Sequence, residues 1–167
     1  MTRTILWATA FAIVAAILQS TVLHRLAIYH VVPDLALGIL VFTSYVNGTM
    51  IGQGTGFVSG FALDFLSASP IGFNALIRTI IGALTGLIKG SFFLDSFLLP
   101  MALCFLATLL KALIVGVLFL LFAGNTPSYS IFSRELWIET AMNTVAAPAL
   151  FAFLKLFRSV LMPEKEQ

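Results

Sequence analysis

The chain has 167 residues, of which 60% are hydrophobic and 10% are charged, and its formal net charge is +2. Because an ordinary soluble domain carries about 25% charged residues, this composition excludes a water-soluble globular fold and indicates an integral membrane protein. The few basic residues form no patch of the kind that binds nucleic acid.

Apolar runs follow one another along the whole chain, with short polar segments between them. A helix needs about 20 apolar residues to cross about 30 Å of hydrocarbon. We predict an all-α bundle of six transmembrane helices in a single membrane domain, residues 1–167, with helices at 5–23, 33–46, 48–66, 70–88, 97–122 and 136–160. The second run is short, so we expect it to begin earlier, to tilt little or to be partly re-entrant.

The first run follows a basic residue, Arg3, and could therefore be a secretory signal. We predict a retained helix, because the run is longer than a signal core and no small-x-small cleavage site precedes Gln19. Ala8, Ala12 and Ala16 form a small-residue ridge on this helix. Such a ridge packs against another helix, either within the bundle or from a partner.

Histidine and cysteine are too few to predict a metal site. His24 and His30 share the first predicted loop, and Cys104 is the only cysteine. Zinc sites use three or four protein ligands, and two histidines fall short of that number. The single cysteine excludes an intramolecular disulfide. We predict no metal and no cofactor.

Glycine recurs at every fourth residue in the third and fourth predicted helices. In the third helix the ridge consists of Gly48, Gly52, Gly56 and Gly60, and Asp64 takes the next position. In the fourth helix Arg78 comes first, and the ridge continues with Gly82, Gly86 and Gly90. Residues four apart share a helix face, and small residues let helices approach closely in lipid. With Pro70 suited to the first helical position, these helices should form an antiparallel hairpin.

Four ionisable residues fall within predicted helices at similar depth. An unpaired charge in the bilayer costs at least about 2.5 kcal/mol, so each should have a partner. We predict two ion pairs, Asp64 with Arg78 and Lys111 with Glu139. These pairs either fix helix register or line an outward-facing polar cavity or docking surface.

Polar and small residues continue from the second pair along both helices. They form one stripe on the fifth helix and one on the sixth, which are Cys104, Ala107, Thr108 and Lys111, and Glu139, Thr140, Asn143, Thr144 and Ala147. We expect both stripes to face protein instead of lipid.

The distribution of lysine and arginine predicts the orientation of the bundle. Short cytoplasmic segments carry an excess of these residues. With the N-terminus inside, two basic residues, Arg25 and Arg134, lie outside and five lie in the cytoplasm, namely Arg3, Lys89, Lys155, Arg158 and Lys165. Both termini are therefore predicted to be cytoplasmic.

No arrangement of residues predicts catalysis. Ser59 precedes Gly60, as in some intramembrane serine proteases, but no histidine follows His30 to serve as its base. The glycines at 52–56 resemble a phosphate-binding loop but lack the lysine that such a loop requires. We therefore predict a protein that is not an enzyme.

Several short motifs together suggest a family. In chain order they are Gln19-Ser-Thr, Val32-Pro-Asp-Leu35, Gly56-Phe-Val-Ser-Gly-Phe-Ala-Leu-Asp64, Pro70-Ile-Gly72 and Ala75-Leu76. In this order and spacing, and in a chain of this size, they resemble the rod shape-determining protein MreD. Arg78 and Lys111 match no pattern of that family, so their predicted roles depend on depth and charge.

The resemblance implies a bacterial inner-membrane scaffold of the cell-elongation machinery, required for rod shape and peptidoglycan synthesis and without chemistry of its own. It implies that the chain binds MreC and, through MreC, the synthase RodA and a class B penicillin-binding protein. On this interpretation Pro33, Asp34 and Leu35, with Asp64 and Arg78 nearby, form an outward-facing surface for a partner.

The MreD fold is similar to that of the substrate-binding subunits of energy-coupling-factor vitamin transporters, and this likeness supplies an alternative. In those subunits an Ala-xxx-Ala ridge on the first helix contacts the coupling subunit. Aromatic and polar loop residues close the vitamin pocket, a role that Tyr29, His30, Tyr129 and Arg134 could take here.

Overall fold

Seven α-helices make up the regular structure of the described residues. The computed structural model describes residues 2–21, 27, 29, 31–67, 69–90, 97–122 and 133–161. The helices are α1 (Thr2–Thr21), α2 (Leu35–Asn47), α3 (Thr49–Leu66), α4 (Phe73–Leu87), α5 (Leu98–Leu121), α6 (Arg134–Leu156) and α7 (Arg158–Leu161).

By length and composition, α1, α5 and α6 can cross a membrane. α2 and α4 are apolar but shorter. α3 has 18 residues, including Gln53 and Asp64, and is not among the three helices that are long and apolar enough to cross by this measure. The sixth predicted run is divided in two, because α6 ends at Leu156 and the short α7 follows Phe157.

α2 lies at the centre of the bundle, which explains its length. Its 13 residues rise only about 20 Å. Residues 36–45 are all buried, and the helix contacts α1, α3, α4, α5 and α6. Because other helices enclose it, its ends need not reach the lipid boundary, provided that protein groups satisfy the backbone there.

Polar groups meet both ends of α2. At its start, Asp34 is the N-cap and accepts a hydrogen bond from Leu37 N at 2.9 Å. At its end, Asn47 Nδ2 donates to Leu161 O at 2.9 Å, and Lys89 Nζ donates to Asn47 O at 3.0 Å. These contacts define two ends of the bundle, called here the Asp34 end and the Asn47 end.

α3 and α4 pack as an antiparallel hairpin along the glycine ridges. A Cβ atom added at Gly52 would collide with the carbonyl oxygen of Gly82, and one added at Gly56 with the carbonyl oxygen of Arg78. At Gly60 and Gly86 it would lie 2.5 Å from backbone atoms of the opposite helix region. The two backbones are therefore in direct contact, with no room for side chains between them.

Gly90 and Pro70 do not have the predicted roles, and Gly48 has a second role besides packing. Gly48 and Gly90 lie outside the helices, with φ of 95° and 68°, so both serve turns that require a left-handed backbone. The backbone of Gly48 also lies against Gly86, where an added Cβ would be 2.7 Å from Gly48 C. Gly90 has open space where a Cβ would be. Pro70 is not the first residue of α4, because the helix begins at Phe73 after Gly72, whose φ is 92°.

The small and polar stripes of the other helices face the interior. On α1, Ala8 and Ala12 are fully buried, and Ala16 is partly buried, where the helix packs on α2 and α3. Every residue of the two predicted stripes is buried or half-buried. The stripe of α5 consists of Cys104, Ala107, Thr108 and Lys111, and the stripe of α6 consists of Glu139, Thr140, Asn143, Thr144 and Ala147.

Candidate functional site

A buried charge cluster lies at the Asp34 end and joins four helices. The Asp34 carboxylate accepts hydrogen bonds from Arg78 Nη2 at 3.0 and 3.1 Å, and from Lys111 Nζ at 2.9 Å. Lys111 Nζ also donates to Glu139 Oε1 at 2.7 Å. The side chains of Asp34, Arg78 and Glu139 are 9%, 8% and 5% exposed.

The cluster is electrically balanced. Two carboxylates face two cations in the order Arg78, Asp34, Lys111 and Glu139, so each charge has an opposite neighbour. Charges buried away from water persist only when they are paired and hydrogen-bonded in this way. The cluster therefore holds α2, α4, α5 and α6 in one register.

Two amides orient the backbone at the centre of the cluster. Asn143 Oδ1 accepts from Asp34 N at 2.7 Å, while Asn143 Nδ2 donates to Thr108 Oγ1 at 3.0 Å. Gln19 Oε1 accepts from Leu35 N at 3.1 Å. The first N–H groups of a helix have no partner inside it, and these side chains satisfy two of them.

Asp64 does not pair with Arg78, so this predicted ion pair is wrong. Its carboxylate accepts hydrogen bonds from the backbone N–H groups of Gly72 at 2.8 Å, Asn74 at 2.8 Å and Ala75 at 3.3 Å. The start of a helix presents free N–H donors and a partial positive charge, which stabilise a carboxylate. Asp64 is therefore compensated by the start of α4, and Arg78 turns to Asp34.

The structure brings together the second predicted pair, Lys111 and Glu139, and adds Asp34 to it. Sequence reasoning placed Asp34 on a partner surface and overlooked its charge. A count of acids near the predicted depth of Arg78 would have included it. The predicted outward-facing surface is not exposed: Pro33, Asp34, Asp64 and Arg78 are buried and Leu35 is half-buried, because their polar groups bind inside the bundle. Leu35 N, for example, donates to Gln19 Oε1.

A cavity of about 290 Å³ lies beside the cluster at the Asp34 end. Its walls come from the ends of α1 and α3, the segment before α2, and α4; the lining residues are Ala16, Ile17, Gln19, Ser20, Val32, Asp34, Ala36, Leu63, Leu66, Ser67 and Arg78. Arg78 Nη1 is buried and has no hydrogen-bond partner among the described residues. The charge cluster thus retains one buried hydrogen-bond donor without an acceptor among the described residues.

The arrangement offers little for catalysis within the described part of the chain. Its carboxylates and cations already bind one another, so none is a free base beside a nucleophile. No three His, Cys, Asp or Glu side chains of the described residues are grouped as metal ligands. His24 and His30 lie outside the described residues.

The described part of the chain contains helices that can span a bilayer, and the charges within them neutralise one another. These features define an all-α membrane protein. The whole chain up to its last ten residues then matches a known family model. The match is to the rod shape-determining protein MreD over residues 1–157, and the chain belongs to this family. Comparison with curated proteins and with solved structures gave no match.

Proposed function

We propose that this rod shape-determining membrane protein is a non-catalytic scaffold of the bacterial cell-elongation complex, required for peptidoglycan synthesis. The observation that carries the proposal is the closed charge cluster of Asp34, Arg78, Lys111 and Glu139. It ties four helices together and leaves no paired acid and base free for chemistry. A rigid bundle of this kind suits a protein that positions others.

The proposed partner is MreC, and through MreC the chain associates with RodA and a class B penicillin-binding protein. The proposed contact surface is the exposed rim of the cavity at the Asp34 end, which includes Ser20 and Leu66. Pro33, Asp34 and Arg78 are themselves buried there and Leu35 is half-buried, so they support that rim from within the bundle. Asp64 lies at the same end, where α3 meets α4. Ala8 and Ala12 of α1 are buried inside the bundle, so a partner helix cannot use them without rearrangement.

The proposed location is the bacterial inner membrane, with six crossings and both termini in the cytoplasm. Lys89 supports this orientation, because it binds Asn47 O at the Asn47 end. The same end holds α7, which begins with Arg158 and is tied to Asn47 through Leu161. Basic residues from distant parts of the sequence therefore gather at the end that we assign to the cytoplasm.

The alternative function, a substrate-binding subunit of an energy-coupling-factor vitamin transporter, draws its support from the cavity. The proposed six-helix bundle would share the fold of those subunits. The cavity walls, however, carry no aromatic residue among the described residues, and Tyr29 and Arg134 do not line it. His30 and Tyr129 lie outside the described residues.

Capture of the tagged chain from its native membranes, followed by identification of the bound proteins, tests the scaffold. We expect MreC in the wild-type complex, whereas recovery of ATPase and coupling subunits would favour the transporter alternative. Ser20→Trp places a bulky ring at the cavity, and Thr2→Trp places the same ring at the exposed opposite end of α1. MreC recovery should fall at least tenfold with the first variant and stay unchanged with the second.

A further inference from the structure

The net charge of the chain belongs to one end of the bundle. Counted by position along the chain, four basic residues balance four acidic residues at the Asp34 end; they are Arg25, Arg78, Lys111 and Arg134, and Asp34, Asp64, Glu135 and Glu139. At the Asn47 end, five basic residues exceed three acidic residues; they are Arg3, Lys89, Lys155, Arg158 and Lys165, and Asp95, Glu164 and Glu166. The formal net charge of +2 therefore falls wholly at the Asn47 end.

Three cations of the Asn47 end are exposed on separate parts of the fold. They are Arg3 in the first turn of α1, Lys89 after α4 and Arg158 at the start of α7. Asn47 holds both Lys89 and α7 at this end through hydrogen bonds. α1 starts here, because its other end meets the start of α2 through Gln19. The charges thus surround the end of the bundle instead of lying on one helix.

Exposed aromatic rings lie just inside two of these cations. Trp7 follows Arg3 by one helical turn on the same face of α1, and it is 46% exposed. α7 packs on α1. Phe153 is 51% exposed, and its ring centroid lies 5.2 Å from that of Phe157, the residue before Arg158. The surface of α1, α6 and α7 is therefore cationic at its end and aromatic immediately inside it.

We propose that the Asn47 end binds anionic phospholipids in preference to zwitterionic ones. The cations that bind the headgroup are called here the basic collar and are Arg3, Lys89, Lys155 and Arg158. Guanidinium and ammonium groups form charge-assisted hydrogen bonds with phosphate oxygens. Each basic residue near the surface strengthens the attraction of an anionic lipid by about fivefold. Lys155 and Arg158 also interact elsewhere in the chain, but a guanidinium has five N–H donors and can bind more than one acceptor.

A phospholipid fits both parts of this surface, whereas an acidic protein in water fits only the collar. Tryptophan is enriched at the headgroup level of a bilayer, because its ring is apolar and its N–H is polar. Trp7 and Phe153 would contact the glycerol region and the first part of the acyl chains, with the headgroup at the collar. This inference does not depend on the scaffold function, because lipid preference and recovery of MreC are separate readouts.

The two tryptophans of the chain allow a local measurement at each end. Trp7 reports on the Asn47 end, and Trp137, in the first turn of α6 and 52% exposed, reports on the Asp34 end. Trp137→Phe leaves Trp7 as the sole tryptophan, and Trp7→Phe leaves Trp137. The purified full chain is reconstituted in phosphatidylcholine vesicles that contain brominated phosphatidylglycerol or brominated phosphatidylcholine with the same acyl chains. Bromine quenches the fluorescence of a tryptophan that it contacts, so the two quenching constants give the lipid preference at each end.

We expect phosphatidylglycerol to be preferred at least tenfold at Trp7 and less than twofold at Trp137. With Trp7 as the sole tryptophan, Arg3→Gln and Arg158→Gln should each reduce the preference about fivefold. Arg134→Gln, which removes an exposed charge at the opposite end, should leave it unchanged. Equal quenching of Trp7 by both lipids, an equal preference at Trp137, or a preference that survives both collar variants would overturn the proposal.

Discussion

Asp34 is the residue whose charge the cluster depends on most. The substitution Asp34→Asn keeps the size of the side chain and an oxygen that can accept from Leu37 N, so the cap of α2 is preserved. It removes the negative charge that faces Arg78 and Lys111. The cluster then carries a net positive charge inside the bundle.

The cost follows from which cation loses its counter-ion. Lys111 keeps Glu139 at 2.7 Å, whereas Arg78 has no other carboxylate partner among the described residues. Removing one partner of a buried ion pair typically costs about 3–5 kcal/mol, because the remaining charge is uncompensated. We therefore expect Asp34→Asn to lower the free energy of unfolding by about 3 kcal/mol, the lower end of that range, because the amide still accepts hydrogen bonds.

A double-mutant cycle with Arg78→Met tests this account. The free energy of unfolding is measured by denaturation in mixed micelles for the wild type, Asp34→Asn, Arg78→Met and the double variant. Removing both charges together should cost less than the sum of the single losses by about 2 kcal/mol. Single losses that simply add, or an Asp34→Asn variant as stable as the wild type, would refute the coupling of these residues.

Three further predictions concern helix packing, the cap of α4 and topology. Gly56→Ala should destabilise the bundle by about 1–3 kcal/mol in the same assay, because its Cβ meets backbone, whereas Gly116→Ala, with open space around it, should be neutral or slightly stabilising. Asp64→Asn should cost about 1–3 kcal/mol through its lost backbone hydrogen bonds. Its loss should add to that of Arg78→Met within about 0.5 kcal/mol, and a larger coupling would reinstate the ion pair between Asp64 and Arg78. A C-terminal reporter that is active only in the cytoplasm should be active, and an inserted but inactive fusion would contradict the proposed orientation.

The glycine ridges of α3 and α4 illustrate how much of the fold was predictable. The four-residue spacing alone indicated that α3 and α4 meet along their glycines, because periodicity on a helix is a local property. The roles of Gly48 and Gly90 could not be read in the same way. They continue the spacing, but α3 begins after Gly48 and α4 ends before Gly90, and only the backbone angles identify them as turn residues.

The pairing of charges required the tertiary structure. Membrane physics determined from the sequence that Asp64, Arg78, Lys111 and Glu139 need partners, since lipid does not solvate ions. It did not determine which partners they have, because side chains distant in sequence and backbone N–H groups compete for each charge. Asp64 is satisfied by N–H groups only 8 to 11 residues away, while Arg78 is satisfied by Asp34, 44 residues away.

Composition and hydrophobic runs therefore determined by themselves that this chain is a helical membrane protein, because the bilayer imposes length and polarity on every segment that crosses it. Its motifs determined the family. The central position of α2, the order of charges in the cluster and the cavity beside Arg78 were decided only by how the helices pack, since each depends on distances between residues that the sequence separates.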